Sequence, residues 1–283
     1  MIIGRLVLAG APLGNPADAS HRLREALREA EIIYAEDTRR LRHLAVDLGI
    51  VLTGAIHSFF AGNERERIEE LRRALSDGKS ILLITDGGMP GISDPGYLAI
   101  EAALDIGAEL DVLPGPSAVT TALSLSGLPM ERFVFDGFAP RTAKARVDYI
   151  HSIQDELRTL VIFEAPHRTH DLINDLFDVL GGERRIALCR EMTKKFQEVF
   201  RGSLLELQEW ATGREILGEV TLVIDGAQLA ALGAKTSGEI ARLVAEREEA
   251  GMDRREAVAA VAAALHLRKR EVFDALVASK IEQ

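Results

Sequence analysis

The sequence predicts an α/β fold with mainly parallel sheets in two domains, followed by a small C-terminal helical unit. Three observations carry this. Short apolar runs alternate with helical patterns from residue 5 to about 225. Runs such as ILLIT (81–85) and LVIF (160–163) are apolar almost throughout, as strands covered on both faces require. Beyond residue 229 the strand pattern stops and only helical periodicity remains.

In chain order, strands are expected at 5–9, 31–35, 80–85, 109–113, 133–137, 159–163, 186–190, 197–201 and 219–225. Helices lie between them. Asn63 opens one, with Glu66 completing a capping box and Gly78 closing it. Pro95 suits the first turn of another, ended by Gly107. Ser117 caps a small-residue helix running to Gly127, and Pro166 begins one that stops at Gly181 and Gly182. Such alternation implies mainly parallel sheets. Pro114-Gly115-Pro116 forms a stiff connector, so residues 1–113 are read as an N-terminal α/β domain and 114–228 as a C-terminal one. In the tail, 229–283, Thr236 with Glu239 and Asp253 with Glu256 mark helix starts; three helices are expected near 237–250, 254–265 and 268–280. The tail reads as a small bundle packed on the body or as a helix-turn-helix-like unit facing nucleic acid.

Bulk properties narrow the class. A chain of 283 residues, 47% hydrophobic and 28% charged, is long enough for two packed cores and too apolar to be disordered. The lone Cys189 lies in an apolar run, excludes an internal disulfide and fits a reducing compartment. No apolar stretch reaches the ~18 residues of a membrane helix. The first apolar run passes straight into a turn containing Pro12, Gly14 and Pro16, which is a first strand rather than a signal peptide; a cytoplasmic protein is expected. A net charge of −10 argues against wholly electrostatic nucleic-acid binding, so any RNA contact must come from local basic clusters.

The chain lacks G-x-x-x-x-G-K-[ST], G-x-G-x-x-G and G-x-S-x-G, which argues against a P-loop, a standard dinucleotide fold and a serine hydrolase. Its seven His show no zinc spacing, and no metal is expected. Three loops stand out: GAPLGNP at 10–16, DGGMPGISDPG at 86–96 and PGPS at 114–117. Each follows a strand, where open α/β sheets bind ligands. Gly permits close backbone approach, Pro fixes the shape, and the amides opening the next helix can take a carboxylate.

These loops, together with AEDTR at 35–39, FEAPHR at 163–168 and CREMTK at 189–194, resemble the ribosomal small subunit methyltransferase I family, within the tetrapyrrole-methylase superfamily. The likeness runs from about residue 5 to 225. The loops mark the superfamily; AEDTR, FEAPHR and EMTK point to the rRNA branch. The resemblance implies two α/β domains of the tetrapyrrole-methylase type, S-adenosylmethionine in the cleft between them, a homodimer, and methylation of the ribose 2′-oxygen of cytidine 1402 in 16S rRNA. Two positions depart from common forms: Gly88 stands where Ala is more usual, and Phe59-Phe60 occupies a stretch often polar.

On this reading Pro12, Leu13, Asp86, Gly87, Gly88, Ile92, Asp94, Pro95, Ser117 and Ala118 bind the donor. Strand ends at Phe163, Met192, Val220 and Thr221 cover its adenosine. A hydroxyl acceptor needs a proton acceptor and charge compensation. The candidates are Asp37, Glu164, Glu191 and Lys194, with His57 and His167 as further bases. Arg39, His57, Arg141, Lys144, His167, Arg168, Arg268 and Lys269 are candidate RNA contacts. Alternative readings are a tetrapyrrole methyltransferase, a methyltransferase acting on a protein, and a non-catalytic nucleic-acid-binding protein that reads through its tail.

Overall fold

The computed structural model describes residues 3–227, 237–265, 267 and 269–281. Residues Met1–Asp225 form one compact unit and Gly226–Gln283 a second.

The first unit holds two five-stranded sheets. Sheet one contains β1 (Arg5–Ala9), β2 (Ile32–Ala35), β3 (Ala55–Ser58), β4 (Ser80–Ile84) and β5 (Glu109–Leu113), in the order β3-β2-β4-β1-β5, and every pairing is parallel. Strand residues alternate between two cores. On one face Val7, Ile33 and Leu82 meet α1 (His21–Glu29) and α2 (Thr38–Asp47) through Leu23, Leu27 and Leu41. On the other, Leu6, Tyr34 and Leu83 meet α3 (Glu64–Ser76) and α4 (Tyr97–Asp105) through Leu71, Leu75 and Ala99. Coverage of both faces is why ILLIT carries no polar face.

Three local details differ from expectation. β3 was not foreseen, because an edge strand of sequence AIHS buries little and shows no apolar run. The Asn63 side chain makes no cap bond to α3; it accepts from Phe60 N and donates to Ser58, tying the preceding turn instead. Pro95 lies before α4, whose N-cap is Gly96 at φ 146°, a conformation only glycine takes readily.

Sheet two contains β6 (Phe133–Phe138), β7 (Thr159–Glu164), β8 (Arg185–Arg190), β9 (Glu198–Ser203) and β10 (Val220–Ile224), in the order β6-β7-β10-β8-β9. Here the expected parallel arrangement holds only for β6 with β7; the other three pairings are antiparallel. The physical reason is connection length: β8 returns into β9 through a loop too short for a parallel crossover. Helix α5 (Ala118–Ser126) covers one face through Val119, Ala122 and Leu123; α6 (Ala143–Ile153), α7 (Thr169–Leu180) and α8 (Leu204–Ala211) cover the other. Cys189 is fully buried in β8, and burial pushes its thiol up to about 11, which makes it a packing residue. The expected 113/114 boundary falls between β5, the last strand of sheet one, and α5, which packs on sheet two.

The second unit is a bundle of α9 (Ser237–Glu249), α10 (Arg254–Ala264) and α11 (Lys269–Ile281), closed around Ile240, Val244, Ala257, Val261, Val272 and Leu276. Asp253 Oδ1 accepts from Glu256 N at 2.8 Å, as its spacing suggests. Thr236 and Arg268 lie outside the described residues. Among the described residues, no helix is long and apolar enough to cross a membrane.

Candidate functional site

Because β4, β1 and β5 are neighbours running in one direction, their following loops converge at one end of sheet one. The backbone stitches them together. Ala11 and Gly88 exchange two hydrogen bonds, at 2.8 and 3.0 Å, joining the first loop to the second. Gly10 N donates to Leu113 O at 2.9 Å, and Gly10 and Gly115 pass so close that a Cβ at residue 10 would sit 2.6 Å from Gly115 N. Gly88 holds φ 84° and Ser93 φ 63°, so the second loop also carries backbone in the left-handed region.

Sheet two completes the site. β7 and β8 end, and β10 begins, on the same edge, since β10 runs antiparallel to both. A bulge between Phe135 and Phe138, with Gly137 at φ 69°, turns Phe138 inward, where its ring meets that of Phe163 edge-on at 5.6 Å.

Between the loops and this edge lies a cavity of about 380 Å³, within the usual range for small-molecule sites. Of the expected donor residues, Leu13, Asp86, Gly87, Gly88, Ile92, Asp94, Ser117, Ala118, Phe163, Val220 and Thr221 line it. Pro12 lines an adjoining cavity of about 290 Å³. Pro95 and Met192 line neither: Pro95 is buried behind the loop, accepting from Gly91 N, and Met192 is in the core. Further lining residues escaped the sequence reading, among them Glu36, Phe138 and Glu219. Glu36 follows β2 just as Asp86 follows β4, so the strand-end rule applied to AEDTR would have found it.

The cavity is electrically negative. Glu36, Asp86, Asp94 and Glu219 face it, with Arg40 the one basic residue lining it among the described residues. Burial pushes Asp94 up to about 7, helped by the charges of Glu36 and Asp86. Burial also raises Glu36 and Asp86 above their ordinary values. Ser117, expected to cap α5, is its N-cap residue but makes no side-chain bond to its first amides. A negative, partly apolar cleft with free helix amides fits a cationic ligand bearing one carboxylate and an apolar ring; it repels a phosphorylated cofactor.

The catalytic candidates are already engaged. Asp37 binds Arg39 at 2.8 and 3.2 Å and caps α2, which holds its carboxyl far below the usual range. Glu164 is buried against Arg168, which also donates to Ala139 O at 3.1 Å. Lys194 Nζ lies 2.9 Å from Glu191 and 3.1 Å from Glu219. Burial alone would raise Glu191, but Lys194, the Glu219 amide and Arg190 together outweigh it and keep the carboxyl below its ordinary value. Glu191 and Thr193 hold φ 50° and 65°, and the stem of Lys194 lies against Gly14.

The RNA candidates divide. Arg39, Arg141, Lys144, His167 and Lys269 are exposed. Arg168 spends its charge inside on Glu164. His57 sits on β3, stacked on Tyr34 at 5.1 Å and 3.1 Å from Glu70, and lines neither cavity. Phe59 is fully buried against Tyr34 and only Phe60 is exposed, so the Phe-Phe departure is half a core substitution. Among the described residues, no three His, Cys, Asp or Glu are grouped to hold a metal.

Residues 5–208 match the family described as Tetrapyrrole (Corrin/Porphyrin) Methylases. The chain is 46% identical over its full length to "Ribosomal RNA small subunit methyltransferase I" of Mycobacterium bovis, covering 98% of that protein. It is 40% identical over 224 residues to the protein of the same name from Thermotoga maritima, covering 79% of this chain and 99% of the relative. The fold is similar to that of uroporphyrin-III C-methyl transferase from Thermus thermophilus, solved in complex with S-adenyl homocysteine, with TM-score 0.55 at 18% identity, covering 78% of this chain and 97% of that one. Sequence, fold and cleft agree: the chain belongs to the ribosomal RNA small subunit methyltransferase I family, within the tetrapyrrole methylases.

Proposed function

We propose that the protein is an S-adenosylmethionine-dependent methyltransferase that modifies the ribose 2′-oxygen of cytidine 1402 in 16S rRNA. Two observations carry this: a full-length relative at 46% identity bears the rRNA methyltransferase name, and the chain folds its motif loops around one negative cavity. Bound there, S-adenosylmethionine supplies a methyl group on a positively charged sulfonium. Asp86 and Asp94 complement that charge, the α5 amides receive the amino-acid carboxylate, and Ile92, Phe163 and Val220 shelter the adenine.

The chain's own work is positioning, the larger part of such a reaction when the leaving group is good. Exposed Arg39, Arg141, Lys144, His167 and Lys269 contact RNA phosphates on an otherwise acidic body, and the enzyme acts as a cytoplasmic homodimer. The test uses labelled S-adenosylmethionine, small ribosomal subunits from cells lacking the enzyme, and naked 16S rRNA alongside. Label in the rRNA of either form supports the reading. Donor binding without transfer to either form overturns it in favour of another acceptor.

A further inference from the structure

Beside the donor cavity lies the second one, of about 290 Å³, and the two share the walls formed by Leu13, Glu36, Arg40, Asp86 and Glu219. Its other walls combine apolar surface from Pro12, Leu41 and Leu44 with hydrogen-bonding groups on α2, namely Asp37, His43 and Asp47. We propose that this cavity receives one nucleoside extruded from the acceptor RNA, and that Glu36, on the common wall, takes the proton of the acceptor hydroxyl. The proposal rests on the methyl-transfer reading above.

Size is the first argument. At about 290 Å³ the cavity has room for a base with its ribose. Enzymes that do chemistry on a base draw it out of the stack into such a pocket, and the same extrusion carries the attached ribose with it. Position is the second. Reacting atoms must come within about 3–3.5 Å, and a site sharing a wall with the donor cavity brings an acceptor that close. Chemistry is the third. Proline and leucine side chains offer apolar contact to a base, Arg40 or His43 can donate to its carbonyl, and a carboxylate can accept from an exocyclic amino group.

Of the carboxylates on the wall common to both cavities, Glu36 has capacity to spare. Asp37 is spent on Arg39, and Glu191 and Glu219 on Lys194. Asp86 accepts from Asp37 N at 3.1 Å and faces Arg40 at 3.5 Å. Glu36 accepts only from Asp86 N, at 3.1 Å through Oε2; its Oε1 has no hydrogen-bond partner among the described residues. The groups facing it are Asp37 on its own strand–helix connection, Arg40 on α2, Asp86 and Asp94 from the loop after β4, and Glu219 and Lys194 from the loops of sheet two. Burial first, and then the neighbouring carboxylates, hold it above its ordinary value.

The step balances as follows. The acceptor oxygen bonds to the methyl carbon while the carbon–sulfur bond breaks. That bond's electron pair remains on sulfur, which becomes a neutral thioether. The hydroxyl proton passes to Glu36, which later releases it to water.

Two variants of the full chain test this, Glu36→Gln and Leu44→Trp, each first shown by thermal melting to fold. Donor binding is measured by calorimetry, transfer to small subunits by single-turnover kinetics across pH. Base capture is read with dimethyl sulfate at N3 of the acceptor cytidine, in subunits held by enzyme and S-adenosylhomocysteine. Expected for Glu36→Gln is donor affinity within about fivefold, a rate lower by roughly 10²-fold or more, and loss of the wild-type rise of rate with pH. Expected for Leu44→Trp is retained donor binding with loss of both transfer and N3 protection. A Glu36→Gln enzyme with unchanged rate and pH profile, or a Leu44→Trp enzyme that still transfers and protects, overturns the proposal. If the wild-type protein itself binds donor and methylates no rRNA, the parent reading fails and takes this one with it.

Discussion

Asp86 and Glu36 hold each other across the ends of neighbouring strands: the Asp86 N–H donates to Glu36 Oε2 at 3.1 Å, and Asp37 N beside it donates to Asp86 Oδ1 at 3.1 Å. Two carboxylates that would otherwise repel are thus fixed by backbone amides. They stand in place before any ligand arrives, so little reorganisation is needed at the moment of reaction.

Asp94 should couple stability, donor affinity and pH. Its folded value of about 7 lies well above the ordinary 3.8, with Glu36, Asp86 and Glu219 facing it. The folded protein therefore holds a proton that the unfolded chain releases, and stability falls as pH rises from about 4 to about 7. Asp94→Asn removes that loss. Thermal unfolding should show the variant more stable at pH 8, by ~1–2 kcal/mol after discounting for solvent screening, with the gain vanishing near pH 4. Donor affinity should move the other way: it rises with pH through 7 in the wild type and is weaker, without that rise, in the variant. Unchanged donor affinity in Asp94→Asn would remove this loop from the donor site.

Gly10→Ala should damage the site's frame. The new Cβ would meet Gly115 N at 2.6 Å and Met89 Sδ at 2.7 Å, and backbone cannot swing aside as a flexible side chain can. Denaturant unfolding should give a loss of about 1–3 kcal/mol, with donor binding weakened further because two loops move apart. Wild-type stability would mean the loops are not packed as described.

Arg168→Met should be costly although the charge lies off the cavity surface. It strands the Glu164 carboxylate, which is 2% exposed, without its partner. Breaking such a pair costs about 3–5 kcal/mol, whereas Glu164→Gln together with Arg168→Met should recover much of it. Denaturant titration of the three proteins decides, and full additivity would contradict the pairing.

Arg141→Ala and Lys144→Ala should weaken RNA binding without touching stability, since both side chains are exposed on the turn and helix after β6. Each lost phosphate contact should lower the slope of log affinity against log salt by about 1. Filter binding across salt concentrations reads this, and an unchanged slope would move the RNA track elsewhere.

Much of this was legible in the sequence, and the reasons are local. β1 and β5 match expectation to the residue, because short apolar runs end in Gly10 and Pro114. The three loops were visible because glycine and proline signal special backbone directly, as Gly10, Gly88 and Gly115 bear out. Features set by distant partners were not visible. The direction of β8 and β10 depends on connections rather than composition, and Phe138 enters the cavity only through the bulge at Gly137. Asp37 and Glu36 look equivalent in AEDTR; only the fold shows that one is spent on Arg39 and the other faces two cavities.

The most direct measurement is the chemical identity of the product. Small subunits from cells lacking the enzyme are incubated with the protein and labelled S-adenosylmethionine, and the rRNA is digested to nucleosides and mapped. The account predicts label in 2′-O-methylcytidine at position 1402 of 16S rRNA. Label on a base, on another nucleotide or on protein would contradict it.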